Sequence, residues 1–184
     1  MKPIIINFSF LFALAALFIG KSLVLPAQQH GAIIGEEWVC LPCGRDCDKQ
    51  TYAEPGRCPH CQMERVKKSS VTFTNLPPDD VCHYIEVHPA AVLLDVRTKE
   101  EFEGKADPDY GRLKNAINIP VQELNDRITE LDSLKGKEIL VYCSHSHRSP
   151  QASYVLTQRG FNHITNMLGG MSVVKDSPCK EMVR

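Results

Sequence analysis

The sequence predicts an α/β domain with a central, mostly parallel sheet flanked by helices, preceded by a small metal-bound ribbon module. Three observations lead there. From about Ser70 onward, short apolar runs alternate with stretches of helical spacing, as in a sheet covered on both faces. Upstream, Cys40, Cys43, Cys47, Cys58 and Cys61 crowd into a segment punctuated by Pro42, Gly44, Pro55, Gly56 and Pro59. Finally, the apolar run Ile139–Tyr142 leads directly into Cys143-Ser144-His145-Ser146-His147-Arg148-Ser149 and Pro150. A cysteine that ends a strand, turns tightly and enters a helix lies at the floor of a ring of backbone amides.

The chain has 184 residues, 43% hydrophobic and 23% charged, which suits one globular domain with smaller attachments. Its formal net charge of -1 gives no overall basic footprint, so no nucleic-acid partner is expected. Lys2 precedes the stretch 4–19, which is apolar except for Asn7 and Ser9 and is closed by Lys21. That pattern reads as an export signal or an uncleaved membrane anchor over residues 1–27. The protein is therefore expected to be exported, in the periplasm, or held at the membrane by its leader. No cysteine precedes Cys40, so none is placed for bacterial lipid attachment. Residues 28–35 read as a linker, 36–66 as the cysteine-rich module and 70–184 as the α/β domain.

Within that domain, Val71-Thr72-Phe73 alternates as a short strand does. Pro77-Pro78-Asp79-Asp80 starts a helix reaching about Val87. The continuous apolar run 90–96 predicts a buried strand. Val121, Leu124, Ile128, Leu131 and Leu134 fall at helical spacing, with Gly136 as the stop. Ile139–Tyr142 is a second buried strand. The following helix takes Ser149 as its cap, Pro150 as its first residue, and Ala152, Val155 and Leu156 as its apolar face. A last strand over 164–168 precedes Gly169-Gly170. The cysteine loop thus falls at the carboxyl end of a strand, where open α/β sheets bind ligands.

The loop has the parts a sulfur nucleophile needs. A free thiol, with a pKa of about 8.5, is mostly protonated near neutral pH, and the thiolate is the reactive form. Loop amides and a helix N-terminus favour the anion at Cys143, and equally a bound persulfide or an outgoing sulfite. Arg148 keeps its charge and can hold an oxyanion with two donors at once. Ser149 can donate toward the sulfur, and His145 and His147 add charge at lower pH.

The upstream cysteines form two Cys-x-x-Cys knuckles, Cys40-Leu41-Pro42-Cys43 and Cys58-Pro59-His60-Cys61, with fourteen residues between them. Paired knuckles present the four thiolates that tetrahedral zinc takes, so Cys40, Cys43, Cys58 and Cys61 are the expected ligands of a structural Zn²⁺. A segment of this size has no core of its own and needs a metal or a crosslink. Disulfides are the competing reading, since exported proteins meet oxidising surroundings. Met63 nearby brings a softer metal such as Cu(I) into consideration. Cys47, Asp48 and His60 are left over. Cys82 is expected as a small core residue and Cys179 as an exposed tail thiol.

From about 70 to 174 the chain resembles the rhodanese-like sulfurtransferases. The resemblance rests on Leu94-Asp95-Val96-Arg97, Glu101-Phe102, the run from Gly111 to Pro120, the cysteine loop, Arg159-Gly160-Phe161 and Leu168-Gly169-Gly170-Met171. It implies that Cys143 takes sulfane sulfur as a persulfide and passes it on, that Arg148 closes the loop, and that Ser144, His145, Ser146, His147 and Ser149 contact substrate. Asp95 and Arg97 would give structural and electrostatic support beside the site. Four residues separate Cys143 from Arg148; related phosphatases on the same fold carry five, so the count favours sulfur over phosphate. Departures are Ser146 where glycine is usual, Arg112 where histidine is common, Met171 where tryptophan often stands, and the added stretch 106–110. The stretch 55–63 also resembles small heavy-metal-binding domains, with Gln62 in place of a usual glycine.

The resulting expectation is a sulfurtransferase that moves sulfur from thiosulfate, a persulfide or a polysulfide to a thiol, cyanide or protein acceptor, with no cofactor in the transfer itself. Two alternatives stand behind it. One is a metal-handling or sensing protein whose second domain docks a partner or delivers sulfur. The other is a phosphatase or arsenate-reductase-like enzyme.

Overall fold

A computed structural model describes residues 35–175 and 182–183. The leader expected at 1–27, the linker up to residue 34 and Cys179 lie outside the described residues. The cysteine-rich module comes first. β1 (Trp38–Val39) pairs antiparallel with β2 (Thr51–Tyr52) and with β3 (Val66–Lys67). Strands of two residues cannot bury a core. The buried residues here are Cys40, Leu41, Cys43, Cys47, Cys58 and Met63.

The α/β domain follows: β4 (Thr74–Leu76), α1 (Val81–Val87), β5 (Val92–Asp95), α2 (Lys99–Phe102), β6 (Arg112–Leu113) and β7 (Ile117–Asn118), then α3 (Leu124–Arg127), β8 (Ile139–Tyr142), α4 (Arg148–Gln158), β9 (Ile164–Met167), α5 (Met171–Val174) and β10 (Met182–Val183). The main sheet has the order β4-β9-β8-β5-β7, and every pairing in it is parallel. β10 pairs antiparallel with β6 outside that sheet.

The unbroken apolar runs of β5 and β8 have the reason expected of them. Ile139 and Val141 face one half of the core with Leu94, Leu124, Leu131, Ala152 and Leu156. Leu140 and Tyr142 face the other with Val81, Leu113, Met167 and Met171. The cysteine module packs into the first half: Cys40, Leu41, Cys43, Cys47 and Cys58 belong to the same apolar cluster as α4 and β8. Ser70 Oγ lies 3.1 Å from Tyr154 Oη, and Gln158 donates to the Ser70 carbonyl at 3.2 Å, tying the join between module and domain.

Several local expectations shift. The strand expected at Val71-Thr72-Phe73 begins at Thr74, because Lys68–Ser70 forms a 3-10 turn and the register with β9 starts at Thr74. The helix expected over 121–134 divides into α3 and a 3-10 segment, Ile128–Leu134. Cys82 is not a simple core thiol; it is disulfide-bonded.

Candidate functional site

β8 ends with Tyr142 fully buried, and Cys143 follows at the floor of a turn, 1% exposed. The turn is closed from below. The Met171 amide donates to the Cys143 carbonyl at 2.8 Å, and the Ser172 amide donates to the Ser144 carbonyl at 2.9 Å. Gly170, at φ +65°, makes this approach possible, since a Cβ there would stand 2.4 Å from the Cys143 carbonyl oxygen. Ser146 takes a left-handed conformation, φ 62°, without being glycine. α4 begins at Arg148, two residues before the sequence-based start, with His147 in the cap position. Ser149 is therefore inside the first turn, and instead of capping, its Oγ receives the Cys143 thiol at 3.5 Å.

Arg148 is oriented differently from the anion clamp expected of it. Its two terminal nitrogens donate to the Glu101 carboxylate at 2.6 and 2.7 Å, and one also reaches Ser144 Oγ at 3.1 Å. Ser144 Oγ in turn donates to Glu101 at 2.7 Å. The guanidinium thus closes the loop onto α2. The Arg148 hydrogen bonds, working against burial and helped by Ser144, bring the Glu101 carboxyl down to about 2. Glu101 held no role in the sequence reading beyond its motif. Its local signal is Thr98-x-x-Glu101, and the structure forms that capping box in full.

Asp95 and Arg97, expected beside the substrate, turn to each other. Both are fully buried, joined at 2.6 to 3.0 Å, with Arg97 also donating to the Gly111 carbonyl at 2.8 Å. Without exposed surface, they brace the carboxyl end of β5. Arg97 Nη1 and Ser146 Oγ are buried polar atoms with no partner among the described residues. The two loop histidines diverge. Exposed His145 meets Tyr110 Oη at 3.0 Å through Nε2, so the added stretch 106–110 leans on the loop. Half-buried His147 lines a groove against the cysteine module.

In that module, the sulfurs of Cys40, Cys47, Cys58 and Cys61 all lie within 4.8 Å of one another. The sequence-based ligand set is corrected at one position, Cys47 replacing Cys43. Asp48 explains the exchange. Its carboxylate accepts the amides of Cys43 and Gly44 and the Cys43 thiol, at 2.7 to 3.2 Å. The 3-10 turn Asp46–Lys49 then carries Cys47 inward. Cys43 remains 3.5 Å from Cys47, beside the quartet. Burial, then hydrogen bonds among the sulfurs, pushes the Cys40 thiol well up. Burial acts the same way on Cys58, but hydrogen bonds from Cys40 and the amides of Cys61 and His60 outweigh it and bring Cys58 down to about 6. Such a donor set suits a thiophilic cation. Zinc–sulfur bonds of about 2.3 Å imply sulfur separations of about 3.8 Å in a tetrahedron, so the quartet could hold a metal such as zinc with little movement.

The model of the rhodanese-like domain matches residues 83–177, just over half of the chain. The chain belongs to the rhodanese-like family. The thiosulfate sulfurtransferase PspE of Escherichia coli (strain K12) is 31% identical over 85 residues, covering 46% of this chain and 76% of its own. The tRNA uridine(34) hydroxylase of Cytophaga hutchinsonii is 31% identical over 115 residues, covering 61% of this chain. The chain spans only 35% of that relative's length. Among solved structures, reduced Bacillus anthracis CoADR-RHD aligns with a TM-score of 0.51 at 25% identity, over 61% of this chain and 18% of its own.

The rhodanese loop sits apart from a cavity at the other end of the sheet. That cavity, about 610 Å³, lies where β5 begins, between Ile85, His88, Leu93, Lys114 and Leu134, and contains no loop residue. The cysteine loop lies at the opposite, carboxyl end of the strands.

Proposed function

We propose that the protein is a sulfurtransferase that carries sulfur as a persulfide on Cys143. The observation that carries this reading is the four-residue loop, closed by the Arg148–Glu101–Ser144 network around a buried cysteine at a helix N-terminus. The 31% identity to a thiosulfate sulfurtransferase, over most of that protein, supports it. In the first step the Cys143 thiolate attacks the outer sulfur of thiosulfate. The sulfur–sulfur bond of thiosulfate breaks, sulfite leaves with the electron pair, and Cys143 holds a persulfide. Loop amides face the developing negative charge. In the second step a thiol or cyanide takes the outer sulfur, and the Cys143 thiolate returns.

The test is to incubate reduced protein with thiosulfate and weigh it intact. One added sulfur, released by cyanide and missing in Cys143→Ser, is the expected result. An unmodified protein that hydrolyses an aryl phosphate would instead assign the loop to phosphate chemistry. The metal assigned to Cys40, Cys47, Cys58 and Cys61 is zinc, in a structural role that the two-residue strands of the module require. Elemental analysis of reduced, purified protein decides that; sulfurs recovered as disulfides with no metal would overturn it. The leader assigned to 1–27 directs export, checked by cell fractionation with and without those residues.

A further inference from the structure

Between the cysteine module and α4 lies a groove of about 540 Å³, within the range of about 300 to 1,000 Å³ typical of small-molecule sites. Leu41, Met63, Val66 and Val155, all buried or half-buried, form its apolar floor. Exposed Arg57, Glu64 and Gln151 belong to its lining, and so does half-buried His147. His147 is the last residue of the turn that begins at Cys143 and stands at the N-terminus of α4. The groove therefore meets the reactive loop at His147, with one wall supplied by a segment outside the α/β domain.

The rim carries one charge of each sign at a fixed spacing. Arg57 and Glu64 face each other across an isolated antiparallel bridge, and Arg57 Nε donates to Glu64 at 2.8 Å with the two side chains 69% and 64% exposed. An ion pair so open to water contributes little to stability. Its partners are readily exchanged for those of a ligand, while the backbone bridge keeps both at the groove edge.

We propose that this groove receives the sulfur acceptor, and that the acceptor is an amino-acid thiol or short thiol peptide. Its carboxylate pairs with Arg57, its ammonium with Glu64, its methylenes cover the apolar floor, and its thiol points along His147 toward the loop. The inference rests on the sulfurtransferase reading. In the step it serves, the acceptor thiol loses its proton to solvent and its thiolate attacks the outer sulfur of the Cys143 persulfide. The sulfur–sulfur bond at Cys143 breaks, a new one forms on the acceptor, and Cys143 leaves as thiolate. No external oxidant or reductant enters.

The experiment loads full-length protein with thiosulfate, removes the excess, and follows loss of the persulfide by intact mass against thiol concentration. Glutathione should discharge it at least tenfold faster per thiolate than 2-mercaptoethanol. Arg57→Met should cut that preference at least fivefold, and Arg57→Lys should restore most of it. Glu64→Gln should erase a preference for cysteine over N-acetylcysteine. Equal discharge by glutathione and 2-mercaptoethanol, or a preference untouched by Arg57→Met, overturns the groove assignment while leaving the sulfurtransferase reading intact. Failure to form any persulfide defeats that reading, and the groove assignment with it.

Discussion

The protein holds sulfur in two places within one hydrophobic core, and the two surroundings are opposites. Cys143 has a serine hydroxyl at 3.5 Å and lies at a helix N-terminus, with the nearby Arg148 charge already answered by Glu101. The quartet sulfurs have one another: Cys40 lies 3.3 Å from Cys61, and Tyr52 Oη is 3.8 Å from Cys58. A hydroxyl that can turn to accept from a thiol or donate to a thiolate, beside a helix N-terminus, suits a charge that appears and disappears. Sulfurs gathered face to face can all be ionised only with a cation among them. The first arrangement suits turnover, the second permanence.

Serine replacements separate the two most sharply. Cys143→Ser should abolish persulfide formation completely and shift the unfolding midpoint little, since the new hydroxyl keeps Ser149 as a partner. Cys58→Ser should do the reverse. It removes a fully buried quartet sulfur and, with it, a ligand; loss of a structural metal belongs to the class of changes costing about 4 kcal/mol or more. Chelation of the wild type should reproduce the Cys58→Ser melting curve while the persulfide still forms on thiosulfate. A chelated protein that melts as before would mean that the quartet holds no metal.

How much of this was legible in the sequence follows from the range of each interaction. β8 and the turn after it could be read directly, because a strand buried on both faces leaves an unbroken apolar run and a cysteine just beyond it. The exchange of Cys47 for Cys43 could not. Two Cys-x-x-Cys spacings imply that both cysteines of each pair face the metal, and only the Asp48 carboxylate, turned back onto the amides of Cys43 and Gly44, moves the first knuckle aside. Arg148 was legible as a charge but not in its direction, because Glu101 lies 47 residues away. The phenol that leans on His145 comes from the added stretch 106–110, where no periodicity announces a contact.

Glu101 gives an intermediate effect and belongs to the loop alone. Its carboxyl is held at about 2 instead of the ordinary 4.5, chiefly by Arg148, so the ionised form favours the folded state. That contribution is complete above about pH 5, declines as the pH falls through 4.5, and is gone below about 2. At full strength it amounts to at most about 3 kcal/mol. Urea midpoints measured between pH 6 and pH 2 should therefore fall less steeply in Glu101→Gln than in the wild type. Glu101→Gln should also start about 2 kcal/mol lower at neutral pH, since it leaves a half-buried guanidinium without its counter-charge. Parallel pH curves for the two proteins would remove Glu101 as the anchor of the loop.

The smallest effect compares the same backbone departure in both regions. Ser146 in the loop and Gln62 in the module both adopt φ 62°, a left-handed conformation that costs an L-residue about 1 kcal/mol and costs glycine almost nothing. Glycine at either position regains most of that and loses part of it again through a more flexible unfolded chain, so Gln62→Gly should stabilise by about 0.5 kcal/mol. Ser146→Gly should gain more, about 1 kcal/mol, because it also removes a buried hydroxyl that has no partner among the described residues. The two should part company in function. A serine hydroxyl kept unsatisfied in a reactive turn is explained if a bound anion supplies the missing acceptor, so Ser146→Gly should raise KM for thiosulfate several-fold while Gln62→Gly leaves it alone. Equal gains in stability with no change in donor KM would make Ser146 a strained turn residue like Gln62, and would leave donor binding to the backbone amides.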